Sequence, residues 1–419
     1  MNWYKRKWNE LNYFLLIGIV ITMPFGVALK LNNLLAILLF AHSLSSPLSL
    51  SQGFKKLFLP LCLLYVLYII GLFYASNFNQ AFFDLEKKIT FLLFPLALAR
   101  SSNLNGKYFS KILNGFLIGC LAASIICLFV AVWRYKLSLN SDVFFYYELT
   151  DIIAMHPIYL AMYICLATFI FISNWLKRVK HFSFLKNSLC VIGIIYMGLF
   201  LILLSARTEM LAFTVIIVTG LVIYGIKKKR ILQTALIVIL FLSFVFSSAL
   251  IFPNVKDRLK EAINYKGEYS IDKQWGGRAL RFLQWDCCLD VIKKNFLVGV
   301  GGGDTQDELQ KCYIEKEYGP LLIYDDLQYN AHNQYFEVMI GYGVIGLSVF
   351  LACLLLPGLI AIKANEPLFL AFVILIAIGS LTESILELNK GIVFFSFFSS
   401  FFIAQSFSNK ETDKKNVGC

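Results

Sequence analysis

Apolar residues in this chain come in runs rather than in alternation. Stretches approaching 20 residues with almost no charge recur from one end to the other, the length a helix needs to cross a hydrocarbon layer. Hydrocarbon offers the backbone no water, so each run must satisfy its own N–H and C=O groups, and runs this long exceed the strands of a barrel. The pattern predicts an all-α polytopic membrane protein. Hydropathy places crossings at 11–29, 33–50, 57–75, 89–99, 112–133, 157–175, 188–205, 210–226, 232–252, 334–362, 367–382 and 391–407, about twelve in all. The second is short and interrupted by Ser and Pro, and the fourth is half-length or tilted. One long polar segment, roughly Pro253 to Asn330, interrupts the series and reads as a small cap folded on the bundle.

Composition agrees. The 419 residues are 58% hydrophobic and 15% charged, against about 25% charge in a soluble domain, and the mean hydropathy is +0.70. The net charge of +12 is topological, because Lys and Arg gather in cytoplasmic loops. With the amino terminus inside, Lys5-Arg6-Lys7, Lys55-Lys56, Arg100 to Lys111, Lys177 to Lys186, Lys227 to Arg230 and the Lys-rich tail all fall on the inner side. Segment 134–156, Arg207 and the long loop then lie outside. Nucleic-acid binding would want a soluble basic domain, and the chain has none. The amino terminus begins like a signal peptide, but the long apolar part reads as an uncleaved first helix. Three regions follow: helices at 1–187, a core at 188–362 that includes the loop 253–333, and helices with a tail at 363–419.

Of the ten cysteines, Cys62, Cys120, Cys127, Cys165, Cys190 and Cys353 lie in apolar runs as small packing residues. In the long loop, either Cys287 or Cys288 could pair with Cys312. No CxxC or zinc spacing appears. The loop predicts polar helices at Val255 to Asn264 and at Asp304 to Lys316, the latter with Asp304 as N-cap. It also predicts an amphipathic helix at Arg278 to Lys294, in which Arg278, Arg281, Trp285 and Cys288 share one face. Gly299 and Gly301 to Gly303 form a flexible turn. Asn77 to Lys88 is polar and interfacial.

Several residues could carry chemistry. His332-Asn333 sits where the polar loop meets an apolar helix. It is either an imidazole that activates a hydroxyl near neutral pH or a capping pair with a solvated histidine. Arg207 has almost no loop around it; its planar fork suits phosphate oxygens, or it snorkels or pairs with Glu209. Arg278 and Arg281 add cations to the loop. Trp285 could stack on a sugar or pack its helix. The glycines Gly299 to Gly303 could admit a phosphate or act as a hinge, and they are not a Walker motif. In His156-Pro157 the proline starts a helix and leaves the histidine free. Asp304, Glu308, Asp325 and Asp326 lack a metal-like spacing and read as a solvated face, so no metal and no cofactor is expected.

In combination these residues resemble the O-antigen ligase and polymerase superfamily of bacterial inner membranes. Arg207-Thr-Glu-Met-Leu211 matches a pattern of Arg, three residues, then Leu, and His332 to Gly343 matches His, ten residues, then Gly. Arg281 to Trp285 followed by Asn295 to Gly301 is similar to an Arg-x-x-x-Trp and Gly-x-Gly segment, with Phe296 where a proline is usual. His156-Pro157-Ile-Tyr159 resembles a His-Pro-x-Tyr signature. The resemblance covers about 192–355. It implies a periplasm-facing, metal-independent glycosyltransferase that takes a glycan from undecaprenyl pyrophosphate. A ligase passes it to lipid A-core in lipopolysaccharide biosynthesis, a polymerase to another lipid-linked repeat unit, and some relatives to protein. His332, Arg207 and Arg281 would be catalytic, and Arg278, His156, Asn333 and Trp285 would contact substrate. The competing non-enzyme reading is a lipid-linked sugar transporter, which would more often place its charges near the midplane of broken helices.

Overall fold

The computed structural model describes residues 2–45, 52–100, 106–239, 243, 277–322 and 329–417, and the regular elements among them are all helical. Among the described residues, six helices are long and apolar enough to cross a membrane: Gly26–Ser43, Tyr108–Ser138, Pro157–Arg178, Phe184–Leu203, Arg207–Lys228 and Gln334–Lys363. Shorter apolar helices lie at Glu10–Thr22, Phe58–Leu72 and Pro367–Gly379. The protein is a multi-pass helical membrane protein.

The bundle contains α1 (Asn2–Thr22), α2 (Leu29–Ser43), α3 (Gln52–Leu72), α4 (Phe78–Lys87), α5 (Thr90–Arg100), α6 (Gly106–Ser138), α7 (Tyr146–Thr150), α8 (Pro157–Arg178), α9 (Phe184–Leu203) and α10 (Arg207–Lys228). The loop region supplies α11 (Gly277–Lys294), α12 (Thr305–Glu315) and α13 (Gly319–Leu322). The chain closes with α14 (Gln334–Lys363), α15 (Pro367–Gly379) and α16 (Asn389–Val417). The second expected crossing begins early, at Leu29, because Asn32 bonds back into α1 through Ile19 O at 2.8 Å. Of the ninth expected crossing only 232–239 and 243 are described, as helix. The rest of it, the helix expected at 255–264, and Asp325 and Asp326 lie outside the described residues.

Helix α16 is the hub of the core. Phe394, Phe395, Phe397, Phe398, Phe401 and Phe402 are all buried, as expected of a helix apolar on every side. Phe398 meets Phe116 of α6 edge-on at 4.8 Å, and Phe401 stacks on Phe109 at 4.6 Å. Such pairs add about 0.5–1.5 kcal/mol each beyond burial. Helix α4 is interfacial in character: Asn77 caps it by accepting from Gln80 N at 3.2 Å, and Phe78, Phe82 and Phe83 stand exposed along it.

The loop is docked into a break in α14. Gly343 has φ 60° and ψ −160°, so the helical ladder fails there. Val344 N donates instead to Phe296 O, while Val300 N and Gly301 N donate to the released carbonyls of Ile340 and Gly341, all at 2.9 Å. A Cβ on Gly343 would lie 2.3 Å from the Leu297 carbonyl carbon, so the position requires glycine on both counts. The glycine turn is therefore a fixed strap rather than a flexible one, and two of its amides are already spent on α14.

Asp304 also departs from expectation. It stands at the N-cap position of α12 but makes no side-chain cap bond. It is buried, and its carboxylate accepts from Ser76 N and Asn77 N, each at 2.7 Å, pinning the loop to the start of α4. The solvated-face reading fails for it because these amides precede a helix and need an acceptor. A second small core of Leu283, Val291, Leu309 and Tyr313 sits beside a Cys287–Cys312 disulfide with Cα atoms 5.7 Å apart. Cys288 stays free and buried.

Candidate functional site

The site is built from helix starts. Asn333 is the N-cap of α14; its Oδ1 accepts from Tyr335 N at 3.0 Å and Phe336 N at 3.2 Å. Capping falls to the asparagine alone, and His332 is left outside the helix with a left-handed φ of 42°. Its Nδ1 lies 3.4 Å from Glu383 Oε2. The capping and chemical readings of His332-Asn333 are thus compatible, one residue for each.

Glu383 belongs to the short connection between α15 and α16, which is clamped onto the start of α14. Gln334 N donates to Ser380 O at 2.9 Å, Asn333 Nδ2 to Leu381 O at 3.1 Å, and Leu386 N to Gln334 Oε1 at 2.6 Å. Glu337 Oε2 accepts from both Ala331 N and Ser384 Oγ at 3.1 Å, tying the histidine loop to the glutamate loop. Thr382 meets Thr208 of α10 at 2.5 Å between hydroxyl oxygens. Burial pushes the Glu383 carboxyl up, but the bond to His332 and the electrostatic influence of His332, His156 and Arg281 hold it below the usual carboxylate value. It is an ionised acceptor for the imidazole.

Arg281 reaches this group from α11, within electrostatic range of both Glu383 and the buried Glu209. Its helix is braced one turn on. Trp285 Nε1 donates to Ala331 O at 3.0 Å, and the ring meets Phe336 edge-on. Arg207 opens α10 and is exposed; its neighbour Thr208 holds that start against the Glu383 loop. Glu209 is buried and its Oε1 has no hydrogen-bond partner. Arg278 lies in α11, but its side chain is outside the described residues.

His156 is not free, as its place before Pro157 suggests it should be. Pro157 has no N–H, so the first amide needing an acceptor is that of Ile158, and it donates to His156 Nδ1 at 3.2 Å. The ring proton therefore sits on Nε2, 2.5 Å from the Tyr147 hydroxyl. Burial lowers its pKa; Glu383 raises it and Lys390 and His332 lower it, leaving about 4. His156 is a neutral imidazole at neutral pH. Among the described residues no group of three His, Cys, Asp or Glu side chains is placed to hold a metal ion.

The structure thus brings His332, Arg281 and His156 around Glu383, sets Arg207 at the neighbouring helix start, and uses Asn333 as cap and Trp285 as brace. Sequence reading missed Glu383. The available signal was the polar break between the last two apolar runs, where two glutamates, Glu383 and Glu387, stand in a short connection.

The described structure is a bundle of membrane helices with a polar cap that carries an imidazole–carboxylate pair. Residues 192–351 match the O-antigen ligase family. The chain carries a domain of that family, which indicates a membrane glycan transferase of the ligase and polymerase kind. Arg207, Arg281 and His332 fall inside the matched stretch; His156 and Glu383 fall outside it. No curated protein matches the chain.

Proposed function

We propose that the protein transfers a glycan from undecaprenyl pyrophosphate to an acceptor hydroxyl, lipid A-core in the ligase reading, at the periplasmic face of a bacterial inner membrane, without a metal. The observation that carries the reading is the contact between His332 Nδ1 and Glu383 with Arg281 alongside. An ionised Glu383 fixes the tautomer with the proton on Nδ1, so Nε2 holds the lone pair. Nε2 takes the acceptor's proton as its oxygen attacks the anomeric carbon. The bond from that carbon to the phosphate oxygen breaks, and the pyrophosphate leaves with the electron pair, its charge met by Arg281 and Arg207. The imidazolium then returns its proton to solvent or to the leaving phosphate. The periplasmic placement is supported by the Cys287–Cys312 disulfide, since disulfides persist in oxidising compartments, and by the basic clusters on the opposite side.

The test is transfer by purified protein from a polyprenyl-pyrophosphate glycan. Near-normal turnover by His332→Ala removes the imidazole from the chemistry, and abolition by EDTA with rescue by Mg²⁺ removes metal independence. Ligase and polymerase separate in a deletion strain. Loss of a ligase leaves bare core and polymer accumulated on its carrier; loss of a polymerase leaves core bearing one repeat unit. An unchanged profile favours transfer to protein, and no transfer in vitro favours a transporter.

A further inference from the structure

The site has a second cation that the arginine motifs do not include. Lys390 is the second residue of α16, and its Nζ donates to Ala154 O at 2.6 Å. Ala154 has a left-handed φ of 50°, and Gly26 packs so closely on its carbonyl that a Cβ there would lie 1.9 Å from the oxygen. The ammonium is therefore anchored in place, and by a neutral group. Among the described residues no carboxylate stands within ion-pair distance of it.

Other cations among the described residues differ. Lys88 is held by Glu387, Arg134 by Asp151, and Lys316 by Asp286 and Asp290. Arg281 itself lies within electrostatic range of the ionised Glu383, which offsets part of its charge before any substrate arrives. Lys390 is partly buried, so its charge is screened less than a surface lysine's. It stands in electrostatic reach of His156, which in turn senses Glu383 and His332. Arg281 is thus answered by an acid of the site, and Lys390, beside the His156 segment, is not. An anchored, uncompensated ammonium beside a neutral imidazole is a point-charge seat for a phosphate oxygen.

We infer that Lys390 is an anion-binding residue that contacts a phosphate oxygen of the incoming substrate, either the donor pyrophosphate or a phosphate on the acceptor; this rests on the glycan-transfer reading above. The experiment uses the full-length protein in lipid nanodiscs, with Lys390→Gln and Lys390→Arg. Inorganic pyrophosphate is titrated by calorimetry, and KM is measured separately for polyprenyl-pyrophosphate glycan and for acceptor. Lys390→Gln should weaken pyrophosphate binding about tenfold, and Lys390→Arg should restore it to within about threefold, because the charge is kept. A raised donor KM with unchanged acceptor KM assigns the phosphate to the donor; the converse assigns it to the acceptor. The inference is overturned if wild-type protein binds no pyrophosphate. It is also overturned if Lys390→Gln binds it equally with both KM values unchanged, or if both variants lose binding together with their thermal transition. Lysine-dependent pyrophosphate binding without any glycan transfer overturns the transfer reading instead.

Discussion

Glu383 and Glu387 stand four residues apart in one short connection and do opposite things. Glu387 takes both of its bonds from one ammonium, Lys88 Nζ at 2.9 and 3.0 Å, and that lysine side chain is 4% exposed beneath the Tyr68 ring. Glu383 has a single long contact of 3.4 Å to an imidazole that is 31% exposed. The first pair is closed: its charges are spent on each other, and removing one partner strands the other. The second is open, because the imidazole keeps one nitrogen for something else. The difference between the two carboxylates lies in the partner's spare valence and its access to solvent, since both glutamates come from the same strip of sequence.

Breaking the open pair should give the largest effect. His332→Ala removes the proposed general base and should lower turnover about 10³- to 10⁴-fold, read as transfer per folded molecule, with insertion and thermal transition unchanged. Breaking the closed pair should do the reverse. Lys88→Ala leaves a partly buried carboxylate unpaired and should cost about 3 kcal/mol of stability, seen as a lowered melting temperature, while transfer by the surviving folded fraction stays within about threefold. If Lys88→Ala instead abolishes turnover at full stability, the two pairs are not separable as argued.

Glu383→Gln should fall between, about 10- to 100-fold in turnover, because the amide no longer fixes the proton on Nδ1. Acid sharpens the comparison further. Both Glu383 and His156 titrate below their ordinary values in the folded protein, so the unfolded chain binds more protons and stability rises with pH. Their contribution is complete above pH 6.5 and is lost as the pH falls through about 4. The melting temperature should be flat above pH 6.5 and fall below it, and His156→Asn should shrink that fall. Trp285→Phe, which deletes only the indole bond to Ala331 O, should give the smallest change, under about tenfold in turnover, and leave melting nearly unmoved.

Much of the membrane architecture was legible because apolar run length is a direct readout of the hydrocarbon thickness. Helices α8, α10, α14 and α15 begin within a few residues of the expected positions, since Pro157, Asn333 and Pro367 mark their own starts by local chemistry. His332, Arg207 and Arg281 were found as motifs. Glu383 was not, because a glutamate in a short loop carries no local mark of having a partner 51 residues away. The glycine strap was misjudged for the same reason. A run of glycines signals conformational freedom, and only the broken helix it docks against converts that freedom into a fixed fit.

The sequence by itself determined that the chain is a bundle of membrane helices with one polar cap, and it marked His332 and the arginines as chemically out of place. Those features are local: run length, capping residues and charges beside apolar stretches. Tertiary structure alone decided which acid faces the imidazole, that Asp304 and the glycines are internal fasteners, that Cys287 rather than Cys288 meets Cys312, and that Lys390 meets the Ala154 carbonyl. Each of these is a pairing between segments remote in the chain, set by how the helices pack rather than by any neighbour in sequence.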